Sequence, residues 1–200
     1  MKRFLKMRNK LVAFVIAMCF VVPSIVVGQD ILQPGEKVPS FSIPDHEGRM
    51  YGLSKSAGKS GVVVMFVSTQ CPVSNAYNSR IIMLAELARQ NNLDFIAINS
   101  NATESLEDVR RYAVEKGLTF PVLKDEGNVV ADLFGATVTP EVFLIDKSQT
   151  VRYHGGIDND QREAKVTERY LESAIKAYAG GGQIQPDDVR PKGCIIKRMR

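Results

Sequence analysis

The most informative segment of the chain is Val62-Val63-Val64-Met65-Phe66-Val67-Ser68-Thr69-Gln70-Cys71-Pro72-Val73-Ser74-Asn75-Ala76-Tyr77. Its apolar, β-branched first half predicts a buried parallel strand over about 61–68, and the second half predicts a helix over about 72–90. Pro72 suits the first helical turn, because its missing N–H would have no partner there. Cys71 is therefore predicted at a helix N-terminus, where the free N–H groups favour the nucleophilic thiolate. The alternative is a structural cysteine that acts as a small core hydrophobe.

Residues 1–28 have the pattern of a secretory signal peptide. A basic start is followed by an apolar stretch from Leu11 to Val27, and Val26-Val27-Gly28 places tolerated residues at the cleavage positions. The alternative is an uncleaved anchor, for which the apolar stretch is short and is interrupted by Pro23. We expect a secreted or periplasmic mature chain that begins near Gln29, with residues 29–35 as a linker and membrane contact only if the segment is uncleaved.

The charge of the chain depends on this segment. The 200 residues include 26 basic and 22 acidic ones, and five of the basic residues lie in 1–28, so the mature chain has 21 against 22. The high pI therefore belongs to the targeting segment, and we expect no nucleic-acid partner. Cys19 leaves with the segment, whereas Cys71 and Cys194 remain in a compartment where disulfides persist.

Hydrophobic periodicity and turn residues predict one domain over 36–179 and a flexible tail over 180–200 that carries Cys194. The first predicted elements are a hairpin of 41–44 with 49–51, a strand at 93–99, and a helix capped by Thr103 and ended by Gly117. A short strand at 120–123 and a helix at 128–134 that stops at Gly135 follow. The last elements are a hairpin of 141–146 with 150–154 and a helix at 160–179 whose N-terminus is capped by Asp158 to Glu163. This order is typical of an α/β protein.

Three segments carry a resemblance to a known group of proteins: Ser68 to Tyr77, Phe120 to Asp125, and Thr139 to Asp146. Over about 36–179 the chain resembles a secreted redoxin of the thioredoxin-like superfamily, related to the alkyl hydroperoxide reductase/thiol-specific antioxidant (peroxiredoxin) group. The resemblance implies a thioredoxin-like fold, in which a central mixed sheet is flanked by helices, with an N-terminal β-hairpin extension. It also implies thiol-dependent oxidoreductase activity without a cofactor, on a protein thiol or disulfide partner or on a peroxide.

The same resemblance assigns site residues. Cys71 would be the catalytic nucleophile, and Thr139-Pro140 looks like the cis-proline segment that lies beside the reactive sulfur in this fold. A cis bond there would turn the Thr139 backbone outward to pair with a partner chain. With Pro72 and Ser68, these residues are the predicted substrate-binding group.

The chain also departs from both patterns. Ser74 stands where thioredoxins have the second cysteine of Cys-x-x-Cys, so a local dithiol is excluded. Val64 replaces the proline of the peroxiredoxin pattern, Ser68 can stand for its threonine, and Pro140 stands where its catalytic arginine is expected. Without that cation a bound peroxide loses electrostatic support, unless Arg80 or Arg152 supplies it in space.

Cys194 lies in a basic tail, where Lys192, Lys197 and Arg198 would favour its thiolate. It is a candidate second catalytic residue that resolves Cys71 through an internal disulfide. The alternative is an unpaired or intermolecular cysteine. His154, at a strand end, could complete a thiolate–imidazole copper site with the two cysteines, although a single histidine there is more often structural; we expect no metal.

Three functions stay open on the sequence. The first is a secreted thiol–disulfide oxidoreductase, and the second is a peroxiredoxin-like antioxidant peroxidase. The third, from a different class, is a redox-inactive or metal-carrying binding module built on the same fold.

Overall fold

The structure is a computed structural model that describes residues 30–56 and 58–199. The predicted signal segment, residues 1–28, lies outside the described residues, so it stays a prediction. Among the helices that are described, none combines the length and the apolar character needed to cross a bilayer.

Strands and helices follow one another in nearly the predicted order. The strands are β1 Ser42–Pro44, β2 Met50–Gly52, β3 Gly61–Phe66, β4 Leu93–Asn99, β5 Val122–Lys124, β6 Val138–Thr139, β7 Glu141–Asp146, β8 Val151–Gly155, β9 Asp188–Val189 and β10 Cys194–Ile195. The α-helices are α1 Pro72–Ala76, α2 Asn78–Gln90, α3 Leu106–Glu115, α4 Val129–Phe134 and α5 Tyr170–Ala179. Short 3-10 turns lie at Leu53–Ser56, Glu126–Asn128 and Glu163–Lys165.

The central sheet has the strand order β5-β4-β3-β7-β8-β9. β4 pairs in parallel with β3 and β5, whereas β7 is antiparallel to β3 and β8. This mixed sheet, flanked by helices and preceded by the antiparallel pair of β1 and β2, confirms the thioredoxin-like fold with its N-terminal hairpin. Every residue of β3 is buried, which explains why its sequence is an uninterrupted apolar run.

Two apolar cores cover the two faces of the sheet, because side chains alternate along each strand. On one face, Val63 and Met65 of β3 belong to a cluster with residues of α2, α3 and α5. On the other face, Val64 and Phe66 belong to a cluster that includes Phe134 of α4. β3 is thus held from both sides, and the loop that follows it enters the site from a rigid strand.

Two predicted helices differ from the observed ones. The helix expected over 72–90 is interrupted at Tyr77, whose hydroxyl donates to Asp158 at 3.0 Å. The helix expected over 160–179 begins only at Tyr170, because Asn159 Oδ1 accepts the N–H groups of Thr167 and Glu168 and holds that segment in an extended turn. The prediction that Asp158 caps this helix is therefore wrong. Asp158 is instead a buried partner of Tyr77 and of Arg80 on α2.

The predicted cap of α3 is also wrong. Ser105, not Thr103, is the N-cap, and it forms a capping box with Asp108. Ser105 Oγ accepts the Asp108 N–H at 3.1 Å, and Asp108 Oδ2 accepts the Ser105 N–H at 3.0 Å. By contrast, the predicted stop of α4 at Gly135 is confirmed, where a φ of 65° favours glycine.

The tail folds back onto the domain. Asp188–Val189 pairs in parallel with β8, and Cys194–Ile195 pairs antiparallel with β6. In this form the tail has a defined path along the site, whereas the sequence predicts a flexible segment; its mobility in the reduced protein stays a prediction.

Candidate functional site

Cys71 is the N-cap residue of α1, and Pro72 occupies the first helical position. The strand β3 delivers the chain to this point through the turn Val67 to Gln70. The Ser74 N–H donates to Cys71 Sγ at 3.3 Å, and Sγ lies 3.4 Å from the carbonyl oxygen of Thr139. Only 4% of Cys71 is exposed. In the reduced protein, the N–H directed at the sulfur would stabilise a thiolate.

Cys71 forms a disulfide with Cys194, which lies 123 residues further along the chain, with a Cα–Cα distance of 6.0 Å. Cys194 reaches it because β10 pairs with β6 in a register that sets Cys194 opposite Thr139. The Thr139–Pro140 bond is cis. The structure thus brings Cys71, Cys194 and Thr139-Pro140 to one place.

Ser68, the remaining predicted residue, shapes the loop in front of Cys71. Its Oγ accepts the backbone N–H of Cys71 at 3.0 Å and that of Gln70 at 3.2 Å. The same Oγ donates its proton to Glu104 Oε1 at 2.5 Å. Because a hydroxyl has one proton to donate, Ser68 has none left for a substrate in this arrangement.

Glu104 is a site residue that the sequence did not reveal. It is buried, and its carboxylate accepts from Ser68 Oγ, from the N–H and Oγ1 of Thr69, and from Asn99 Nδ2. Four donors compensate the buried charge. Glu104 precedes α3 by two residues and lies 33 positions from Cys71 in sequence, so no local pattern marks it. It ties the loop after β4 to the loop after β3.

The polar layer continues below Glu104. Lys124 Nζ donates to Asn99 Oδ1 at 3.2 Å and to the Asn101 carbonyl at 2.8 Å. Burial lowers the pKa of Lys124, and the negative charges of Glu104 and Asp125 act in the opposite direction. The segment 99–101, for which a plain turn is the simpler interpretation of the sequence, therefore supports the site from beneath.

Neither arginine proposed as a replacement cation is directed at the sulfur. The Arg80 guanidinium is buried and donates to Asp158 Oδ2 and to the carbonyls of Asp160 and Gln161. Arg152 is half-exposed, and its Nη1 lies 3.9 Å from Asp146 Oδ2. Asp146 is the last residue of β7, whereas Pro140 precedes the first. Of the two arginines that the sequence leaves open as a substitute cation, Arg80 therefore orders the loop 158–161, and Arg152 pairs with Asp146.

His154 is buried beside the site but is not turned toward the cysteines. Its Nε2 lies 2.9 Å from Glu141 Oε1, and its Nδ1 lies 2.7 Å from Asp188 Oδ1 in the tail. Burial alone would lower the pKa of His154, but the hydrogen bonds and charges of Glu141 and Asp188 raise it above the ordinary value. Both ring nitrogens are thus engaged, and within residues 30–56 and 58–199 no cluster of three or more candidate metal ligands occurs.

Comparison with known families places these residues in context. The model of the AhpC/TSA family matches residues 34–154 of this chain. That range contains Cys71, Ser68 and Thr139-Pro140, but it ends before Cys194 and the tail.

Individual relatives point to thiol chemistry. The chain is 28% identical over 145 residues to the thiol-disulfide oxidoreductase ResA of Halalkalibacterium halodurans, a match that covers 72% of this chain and 78% of that protein. It is 27% identical over 149 residues to the chloroplastic peroxiredoxin Q of Sedum lineare, with 71% and 75% covered. Among solved structures, a hypothetical protein of Sinorhizobium meliloti 1021 has a TM-score of 0.79 and 28% identity, with 85% of this chain and 97% of that chain covered.

Proposed function

The chain belongs to the AhpC/TSA family, and from this premise we propose that it is an exported thiol–disulfide oxidoreductase in which Cys71 is the nucleophile and Cys194 the resolving thiol. Its activity is that of a thiol-dependent oxidoreductase, as its relatives indicate. The observation that carries the proposal is the disulfide between a helix N-cap and a docked tail strand.

When the reduced chain reduces a partner protein, the Cys71 thiolate attacks a sulfur of the partner disulfide. A Cys71–partner bond forms, and the other partner sulfur leaves as a thiolate. The Cys194 thiolate then attacks Cys71 Sγ, the internal disulfide forms, and the second partner sulfur leaves as a thiolate. The partner gains the two electrons that the chain loses, and all steps reverse when the chain oxidises a partner dithiol.

The hydrogen bonds around the sulfur favour this chemistry over peroxide reduction. A peroxidase needs donors aimed at the peroxide oxygens, where charge develops as the O–O bond breaks. The Ser68 hydroxyl donates its hydrogen bond to Glu104, and the terminal nitrogens of the Arg80 guanidinium donate to Asp158 and to the carbonyls of Asp160 and Gln161. A disulfide substrate needs less, because its leaving group is a stabilised thiolate.

The second candidate is a peroxiredoxin-like peroxidase. The family and the similarity to peroxiredoxin Q support it, and the same two cysteines would serve it. The disulfide also argues against a redox-inactive binding module, because such a module has no need of a thiol that reaches Cys71 from 123 residues away.

Cysteine mapping separates these functions. The reduced chain is treated with one equivalent of oxidised glutathione, and in parallel with one equivalent of hydrogen peroxide, and peptides are identified by mass spectrometry. We expect the wild-type chain to end with the Cys71–Cys194 disulfide and two reduced glutathiones, and Cys194→Ser to stop at glutathionylated Cys71.

Faster oxidation by peroxide than by glutathione disulfide would favour the peroxidase. If the wild type accumulates only the mixed disulfide at Cys71 and Cys194→Ser changes nothing, Cys194 is not the resolving thiol. If neither oxidant reacts with the chain, both oxidoreductase functions are excluded, and the redox-inactive binding module is the remaining function.

Export rests on the basic and apolar pattern of residues 1–28. N-terminal sequencing of the protein from its host should find a start near Gln29 outside the cytoplasm. Soluble cytoplasmic protein that retains Met1 would contradict it.

A further inference from the structure

The tail is bound along the site as an added strand. Beyond the β6–β10 pairs, the Ile196 N–H donates to the Thr137 carbonyl at 2.9 Å. The Lys197 N–H donates to Asn101 Oδ1 at 2.9 Å, and the Lys197 carbonyl accepts the Ala102 N–H at 2.8 Å. The backbone of residues 194–197 is therefore held by residues 137–139 and 101–102, and the channel that these residues line is the groove of the tail.

Side chains of the bound strand are recognised unequally. A Cβ on Gly193 would overlap the carbonyl oxygen of Thr139 and lie 3.1 Å from Pro140 N, so only glycine fits before the cysteine. Ile196 is 2% exposed and belongs to the apolar cluster of Phe134, whereas its neighbour Ile195 is 77% exposed. The site therefore recognises the side chain two positions after the cysteine, Ile196, and does not recognise the one directly after it, Ile195.

A basic residue is recognised four positions after the cysteine. Arg198 Nε donates to Asp132 Oδ1 at 2.8 Å, and Nη2 donates to the Ala136 carbonyl at 2.8 Å. Asp132 lies on α4 and Ala136 is the second residue after this helix, so this contact forms one end of the groove. Both side chains are partly exposed, and we expect this contact to contribute less than Ile196 does.

We propose that residues 193–198 are a tethered copy of the segment that this site accepts from its protein partner. The partner then presents an extended Gly-Cys sequence with an aliphatic residue two positions after the cysteine and a basic residue four positions after it. The physical reason is access: Cys71 is almost fully buried, and its disulfide partner approaches along the β6 edge. A partner sulfur bound to Cys71 must follow the same edge, and it must displace the tail to do so.

This inference rests on the proposed function, and a peptide assay separates the two. The chain carries Cys194→Ser, so that Cys71 is the reacting thiol of the site. Peptides copy residues 192–198, Lys-Gly-Cys-Ile-Ile-Lys-Arg, with thionitrobenzoate on the cysteine. The Cys71 thiolate attacks the peptide sulfur, the Cys71–peptide disulfide forms, and coloured thionitrobenzoate leaves with the electron pair, so its release gives the rate.

Peptides with the Gly193→Ala or the Ile196→Ser change should react at least about tenfold more slowly than the copy. The Arg198→Glu peptide should react about threefold more slowly. The Ile195→Ser peptide is the matched control, because it makes the same Ile-to-Ser change at the exposed position, and it should react like the copy.

A second chain, Cys194→Ser with Arg198→Glu, loosens the tail at an exposed contact and should react faster with the copy peptide. Release from no peptide would overturn the proposed function, because Cys71 would not be a nucleophile. Equal rates with all peptides, or no acceleration by the loosened tail, would overturn the tethered-copy inference while the function stands.

Discussion

At the scale of single residues, His154 connects the site to the tail. It lies on β8, contacts Glu141 directly after Pro140, and contacts Asp188 at the start of the docked tail. Glu141 Oε2 in turn accepts the N–H groups of Thr137 and Val138, which belong to the edge that pairs with β10. One imidazole thus links the docked tail, through Asp188, to the β6 edge that pairs with β10, through Glu141.

The charge of His154 should make stability depend on pH. Because its pKa is raised in the folded protein, the imidazolium stabilises the fold fully below the ordinary value of 6.5, and this stabilisation is lost as the pH rises through the folded pKa. We therefore expect the free energy of unfolding to decrease as the pH increases from 6.5 through the folded pKa of His154. Urea unfolding at a series of pH values measures it.

His154→Gln should flatten this pH dependence, and Asp188→Asn should reduce it by removing one of the two carboxylates. The pH-dependent loss of stability is specific to His154 if the free energies of unfolding of His154→Gln and of the wild type converge at high pH. A wild-type profile that rises with pH over this range would contradict the assignment.

At the scale of elements, capping decides where the helices begin. α3 starts after Ser105 because the Ser105 and Asp108 side chains satisfy each other's backbone N–H groups. Thr103 also belongs to the residue types that favour the N-cap position, but the intervening Glu104 turns inward to the loop of Cys71. A start at Thr103 would carry Glu104 into the first helical turn and away from that contact.

Ser105→Ala should therefore lower the free energy of unfolding by about 1 kcal/mol. The matched control is Thr103→Ala, which should change it by less than about 0.5 kcal/mol, as for an ordinary surface position. Urea unfolding at one pH compares the two variants. Equal effects of the two substitutions would mean that the cap is shared or misassigned.

At the scale of the whole molecule, the disulfide joins the tail to the centre of the domain. It closes a loop between residues that are 123 positions apart, so it restrains the unfolded chain strongly in the chain-entropy description. We expect reduction also to free the tail to leave the β6 edge, which the proposed exchange with partners requires. Stability and access to the site would then both depend on the redox state of the two cysteines.

Reduction should lower the free energy of unfolding by about 3 to 5 kcal/mol. Urea unfolding with and without a reductant measures this difference, and Cys194→Ser should match the reduced wild type and ignore the reductant. Amide hydrogen exchange should rise over residues 186–199 on reduction and stay unchanged in β3. A tail that stays protected after reduction would contradict the release step.

Much of the site follows from the sequence, because its residues lie where local rules apply. A buried strand that runs into Cys71-Pro72 marks a helix N-terminus. The family resemblance adds Thr139-Pro140 as the segment beside Cys71, and the basic tail makes Cys194 a candidate partner of Cys71. The element order follows from alternation and periodicity, and the mixed sheet follows from the family resemblance.

Only the tertiary structure decides what the polar residues do, because hydrogen-bond partners distant in sequence leave no local pattern. Glu104 accepts the hydrogen bond of the Ser68 hydroxyl, and Asp158 accepts from Arg80 and from Tyr77, where a predicted helix is interrupted. Asn159 accepts the N–H groups that precede α5 and so delays its start. The path of the tail is likewise tertiary: Gly193, Ile196 and Arg198 gain meaning only against Thr139, the Phe134 core and Asp132. By itself, the sequence determined the buried strand, the helix N-terminus at Cys71 and, through the family resemblance, the thioredoxin-like fold, since strand burial and helix ends are local properties. Which groups surround the Cys71 sulfur depended on the folding of the chain, since burial and directional bonds between remote residues exist only in the packed molecule.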